Sequence, residues 1–337
     1  MGVLYLEKLI NFDKPFLDYS ELITLLQHKY NLVIPDEQRA IHILKLVSYY
    51  DLINGYKDVF MVNEQYDGKT SIEFLYSFYL YDKNFQNIIF SRIMIIENYF
   101  KNILACQISK DFGVDADTYL KPSMYRQKAR GLNVQKELAS IKYQLECTNP
   151  SIPTAYYLKH HNHVPAWILL KNISFGNSIN LFRILKPAQQ NPILDEILPS
   201  DEVPLSQRKE LLVSGLDLLR SFRNKIAHNL KFVTHRGTFK QSMSVKIIRK
   251  FLPEGVITKK MIEEKYIAND LYAVILFIFL VLNDSFLKSQ FHYDLINKDY
   301  FTLSGNEYLQ QKYRQITGLP ENIEEIITLM INMSTGC

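Results

Sequence analysis

Between Leu205 and Leu230 the apolar residues Leu211, Leu212, Leu216, Leu218, Leu219, Phe222 and Ile226 recur at three- and four-residue steps. That is the period at which an α-helix returns side chains to one face, so this segment must bury one stripe and turn the other outward. The same period governs most of the chain. Leu22, Ile23, Leu25 and Leu26 follow Asp18-Tyr-Ser-Glu, and Ala40, Ile41, Ile43, Leu44 and Val47 follow Pro35-Asp-Glu. Thr70-Ser-Ile-Glu73 has the pattern of a capping box and opens a helical stretch to about Lys110, with Phe74, Leu75, Phe78, Ile88, Ile89, Ile93, Ile96, Phe100 and Leu104 on its apolar face. Further helices are predicted near 259–289, 305–317 and 321–332, with Gly318 and Pro320 ending the second of these.

The expected fold is therefore all-α: a helical bundle from residue 69 to 337, preceded by a small helical region over 1–68. Two stretches read differently. Gly55–Asn63 is short and rich in Val, Tyr and Phe, which permits a small hairpin, and the alternating runs of Phe239–Phe251 are compatible with a short basic β-ribbon. With 47% hydrophobic and 22% charged residues, the chain has the make-up of a folded protein and not a disordered one. The longest apolar run, Leu271–Leu282, is too short for a membrane span and is expected to be a buried core helix. Met1–Glu7 lacks the layout of an export signal, and Cys106, Cys147 and Cys337 are few and far apart. Both features suit a reducing cytoplasm, with no membrane partner and no Cys-based zinc site.

The periodic segment closes on Arg223-Asn-Lys-Ile-Ala-His228, followed by Asn229, a good helix terminator. On a helix Asn224 and His228 share a face four residues apart, while Arg223 and His228 lie about 140° apart, so one helix presents a cation, an amide and an imidazole around a common edge. Imidazole moves protons near neutral pH, and guanidinium holds charge that develops on phosphate oxygens. The spacing is weak evidence by itself, since roughly 0.8 Arg-to-His pairs at such separations arise by chance in a chain with 11 Arg and 8 His.

Its surroundings say more. Leu218–Pro253 holds no Asp or Glu but contains Arg220, Arg223, Lys225, Lys231, Arg236 and Lys240, in a chain whose net charge is only +4. This is a phosphate-attracting composition, and those cations are the expected RNA contacts. Lys121–Lys136 is also acid-free; Arg126, Lys128 and Arg130 lie in what reads as a mobile basic loop and add to the same set.

Two other polar groups leave alternatives open. Arg92, Glu97 and Lys101 form a series along the long helix, where Glu97 and Lys101 suit a surface ion pair or a carboxylate that orients Arg223 or His228. Lys159-His-His-Asn-His163 gathers imidazoles, but no partner follows at ligand spacing, so a connector is the preferred reading and no metal site is expected. Nothing in the chain has the form of a glycine-rich phosphate loop, and no cofactor is implied.

Several motifs in order, Phe12-Asp-Lys-Pro-Phe, Ala40–Leu52, Ile95-Ile-Glu97, Pro165-Ala-Trp167, Ser174-Phe-Gly176 and Arg223–His228, resemble the Abi D/F-like abortive-infection proteins. Such proteins are similar to the HEPN superfamily, all-helical domains that often cleave RNA through an Arg-x4-6-His motif. The resemblance implies a HEPN-like bundle in which Arg223 and His228 match the motif ends, Asn224 the polar residue after the arginine, and Glu97 an acid of the earlier helix. Met94 and Lys101 stand where relatives often carry a second acid and an arginine. Because the chain has a single such motif, the resemblance implies a homodimer with two motifs facing one another. The implied activity is metal-independent endoribonuclease in phage defence. The alternative is an inactive RNA-binding module held by a small structured RNA, as some relatives are.

Overall fold

The computed structural model describes residues 14, 16–146, 149, 152–263, 268–296 and 307–335. Met1–Glu7, Phe12, Asp13, Cys147, Cys337 and parts of two expected helices, 264–267 and 305–306, lie outside the described residues. Among the described residues the fold is all-α, without a strand. No helix there is long and apolar enough to cross a membrane.

The chain divides into two compact units, one ending at Leu80 and one beginning at Tyr81. In the first, helices Tyr19–His28 and Glu37–Leu46 bury Ile23, Leu26, Ala40, Ile43 and Leu44 in a common core with Leu52, Ile53 and Tyr66. Asp18 and Glu21 cap the first helix reciprocally, and the Asp36 side chain accepts from the backbone N–H of Arg39 to cap the second. The hairpin expected at Gly55–Asn63 is not formed. Lys57–Phe60 is a helical turn whose Phe60 packs edge-on against Phe74 and Phe78, and only an isolated bridge joins Val62 to Gln65.

The long helix Ile72–Phe112 starts one register later than the sequence suggests: the Ser71 hydroxyl, not Thr70, accepts from the backbone N–H of Phe74. Its later part belongs to the second unit. There Arg92 is not part of a polar series with Glu97; its guanidinium reaches Asp294 on helix Ser285–Ile296 at 2.5 Å.

Helix Leu271–Val281 is the centre of the second unit. It is apolar all round, and all its residues except Leu280 are buried, the burial pattern of a core helix. The helix carrying the Arg-to-His motif, Leu205–Ala227, packs against it with Leu211, Leu212, Leu216, Leu218, Leu219 and Phe222 fully enclosed. A β-carbon added at Gly215 would lie 2.3 Å from the Phe277 ring, so this crossing requires glycine. The β-ribbon expected at Phe239–Phe251 is contradicted. Phe239–Gln241 and Arg249–Phe251 are 3-10 turns and Val245–Ile248 is helical, because burial of Ile247 and Ile248 together needs adjacent side chains on one side, which a strand does not supply.

Gly215→Ala is expected to destabilise the protein. The Phe277 clash should outweigh the gain in helix propensity, for a net loss of about 1–2 kcal/mol in chemical denaturation.

Candidate active site

The motif helix ends in a reversal that fixes where its last side chains stand. Asn229 has φ 53°, its N–H donates to the carbonyl of Ile226 at 3.0 Å, and the N–H of Leu230 donates to the carbonyl of Lys225 at 2.9 Å. This pair of bonds is a Schellman closure, with asparagine supplying the left-handed residue. His228 is thereby the C-cap, one position past Ala227, and its side chain is exposed, as is that of Asn224 one turn back. Arg223 lies half-buried next to Asn224, with Nη1 donating to Asn224 Oδ1 at 3.3 Å, and stands about 140° around the helix from His228.

Beneath Arg223 is a buried charge. Glu97 is 6% exposed, and its Oε1 accepts from Lys101 Nζ at 2.7 Å, while the same ammonium donates to the Ile173 carbonyl at 2.7 Å. Glu97 Oε2 faces Arg223 Nε at 3.9 Å, and neither of these two atoms has a hydrogen bond. Both sequence readings of Glu97 thus describe contacts that exist, but the Glu97–Lys101 pair is buried, not on the surface. One carboxylate is held tightly by lysine and loosely by arginine. The cluster carries a positive surplus, and Arg223, with a third of its side chain accessible, is where that surplus meets solvent.

The structure also brings in a second imidazole that sequence reasoning missed. His235 Nε2 is 2.8 Å from the Ser221 hydroxyl, and the His235 ring packs against Phe222 at 4.7 Å. Burial, together with the charges of Lys225 and Arg236, pushes His235 from its ordinary 6.5 down to about 4, so it is neutral at physiological pH. Ser221 and His228 are seven residues apart, two helical turns, and therefore lie on one stripe. No spacing rule points to His235, because the loop after Asn229 has no period.

The expected RNA contacts differ in exposure, and some are tied to partners. Lys128, Arg130 and Lys240 are exposed, and Lys225 and Lys231 are half-buried. Arg220 is engaged with Asp217 at 3.1 Å, and Arg236 donates to the carbonyls of His235 and Thr317. The basic stretch Lys121–Lys136 does not form one open loop: Pro122–Met124 is a 3-10 turn, Tyr125 is fully buried, and helix Val134–Lys142 begins inside it. Arg126 is fastened to the Leu185 carbonyl at 2.7 Å. In the histidine tract, His160 packs on Tyr156 and His161 on Tyr157, each at 4.5 Å, and among the described residues no group of His, Cys, Asp or Glu is arranged for a metal.

A family model of Abi-like proteins matches residues 42–233, more than half of the chain. The chain belongs to the Abi-like protein family. Membership suggests a role in abortive-infection phage defence. No curated protein and no solved structure matches this Abi-like protein. The match includes Glu97, Lys101 and Arg223–His228 and stops before His235, so the Ser221–His235 contact joins a residue inside the match to one beyond it.

Two outcomes follow from this geometry. Glu97→Gln or Lys101→Met alone should cost about 3–5 kcal/mol, since each removes the close partner of a buried charge, whereas the double variant should lose less than the sum, as a denaturation cycle would read. For His235, the unfolded chain takes up its proton near 6.5 and the folded one near 4. Stability from this group is complete above 6.5 and lost as pH falls toward 4, so the melting temperature of His235→Asn should decline less steeply than wild type across that window.

Proposed function

We propose that this Abi-like protein is a metal-independent endoribonuclease of the HEPN type, acting in the cytoplasm as a homodimer in abortive-infection defence. The observation that carries the reading is the exposed His228 imidazole at the closed end of the helix that also carries Arg223, whose guanidinium is steadied by a buried carboxylate that does not neutralise it.

In this mechanism the ribose 2′-oxygen attacks the adjacent phosphorus. The new 2′-O–P bond forms as the P–O5′ bond breaks. One imidazole accepts the 2′-hydroxyl proton and another delivers a proton to the departing 5′-oxygen; two copies of His228, one from each subunit, divide these roles. Arg223 stabilises the charge on the non-bridging oxygens, at a place where its cation is only partly compensated. Glu97, through Arg223, acts as a positioning residue, and Asn224 orients Arg223 or the RNA. Lys128, Arg130, Lys225, Lys231 and Lys240 draw the strand in. Arg220 and Arg236, already engaged, contribute mainly field. The products are a 2′,3′-cyclic phosphate and a 5′-hydroxyl.

Labelled RNA incubated with the protein in excess chelator should be cut, and Arg223→Ala or His228→Ala should slow cutting by at least about 100-fold without altering the circular dichroism spectrum. Cutting that requires a divalent ion, or that survives the double substitution, overturns the reading.

A further inference from the structure

Away from the motif, the second unit gathers positive charge around a neutral amide. Gln190 is buried, its Nε2 donates to the Phe182 carbonyl at 2.7 Å, and its Oε1 accepts from Lys209 Nζ at 2.7 Å and from Arg126 Nη2 at 3.0 Å. Arg183 stands on the adjoining helix Phe175–Ile184, making only long contacts of 3.4 Å to Asn180 Oδ1 and to the Arg130 carbonyl. Among the described residues none of these cations is within ion-pair distance of a carboxylate; Arg183 is linked to one indirectly, through Asn180, whose amide donates to Glu137 at 3.0 Å.

Cations that share an acceptor normally bring a counter-charge with them. Here burial, and after it repulsion from Arg126 and Arg183, lowers the Lys209 ammonium from 10.5 to about 8. Arg126 also lines an open cavity of about 510 Å³ with Lys128, Leu132 and Asn133. A cavity of that size accommodates a nucleotide unit.

We propose that Arg126, Arg183 and Lys209 form a binding site for the phosphate group of a nucleotide unit, whose sugar and base occupy the neighbouring cavity. Arg126 uses Nε on the Leu185 carbonyl and Nη2 on Gln190, so its position is fixed before a ligand arrives, and Lys209 retains ammonium protons beyond the one given to Gln190. A phosphate seated there supplies the missing negative charge and raises the affinity of Lys209 for its proton. The site does not depend on the ribonuclease reading. Lys209 lies fourteen residues before Arg223 on the same helix, about 21 Å along its axis, so the nucleotide unit is either a free ligand or part of a strand that continues toward the motif.

The melting temperature is measured with inorganic phosphate, a nucleoside 5′-monophosphate or a 2′-O-methyl oligoribonucleotide, each against chloride at equal ionic strength. At saturation the phosphate-bearing ligand should raise it by about 2 °C or more, and the rise should disappear in Arg126→Gln and Lys209→Gln. A rise with mononucleotide alone identifies a free ligand; a rise with the oligoribonucleotide alone identifies a strand. No rise with any of the three, or an equal rise in the variants, overturns the proposal. If the variants do not fold, acylation of Lys209 in the wild type decides: its reactivity midpoint, near 8 without ligand, should move upward with phosphate, and an unchanged midpoint overturns the proposal.

Discussion

The Glu97 carboxylate, 6% exposed and shared between Lys101 at 2.7 Å and Arg223 at 3.9 Å, is the interaction on which the candidate site depends. A buried carboxylate is costly unless compensated, and Lys101 compensates it at close range while spending another proton on the Ile173 carbonyl. Arg223 is left with the weaker share. A full ion pair would have quenched its charge, and no carboxylate at all would have left the guanidinium without an anchor. The observed division supplies an anchored cation with its charge still available.

The position of that cation is set by packing some distance away. The motif helix is wide-faced: Ser214, Gly215 and Leu216 are all buried, and so are Leu218 and Leu219, because Gly215 allows close approach to Phe277 on the core helix Leu271–Val281. A helix so gripped along its length cannot roll, and its polar end is fixed with it. The Asn229 reversal then stops the helix one residue after Ala227, presenting His228 at the rim.

The same architecture shows how a small positive surplus of charge is distributed. Of the cations in the acid-free run after Leu218, Arg236 and Arg220 serve as ties, to carbonyls and to Asp217, while others face solvent. Lys209 and Arg183, outside both acid-free windows, join Arg126 around Gln190. Composition along the chain therefore marks only part of the basic surface, since charge density in space depends on which helices are neighbours.

The helices, their faces and the terminator after the motif were legible because they rest on local chemistry. The three- and four-residue period marked the buried face of Leu205–Ala227, an unbroken apolar run marked the core helix Leu271–Val281, and Asn229 announced the helix end. The expected ribbon at Phe239–Phe251 failed because alternation over a short run is a weak signal that the burial of Ile247 and Ile248 overrides. What tertiary structure alone decided is who meets whom. Glu97 and Arg223 are 126 residues apart, and the partners of Ser221 and Lys209 sit on loops and helices with no periodic relation to them. Sequence determined which faces must be buried, because burial depends on each residue's own polarity and its place in the helical period. It did not determine the charge balance at those meetings, because electrostatic interaction depends on distance in space, which only the packed chain fixes.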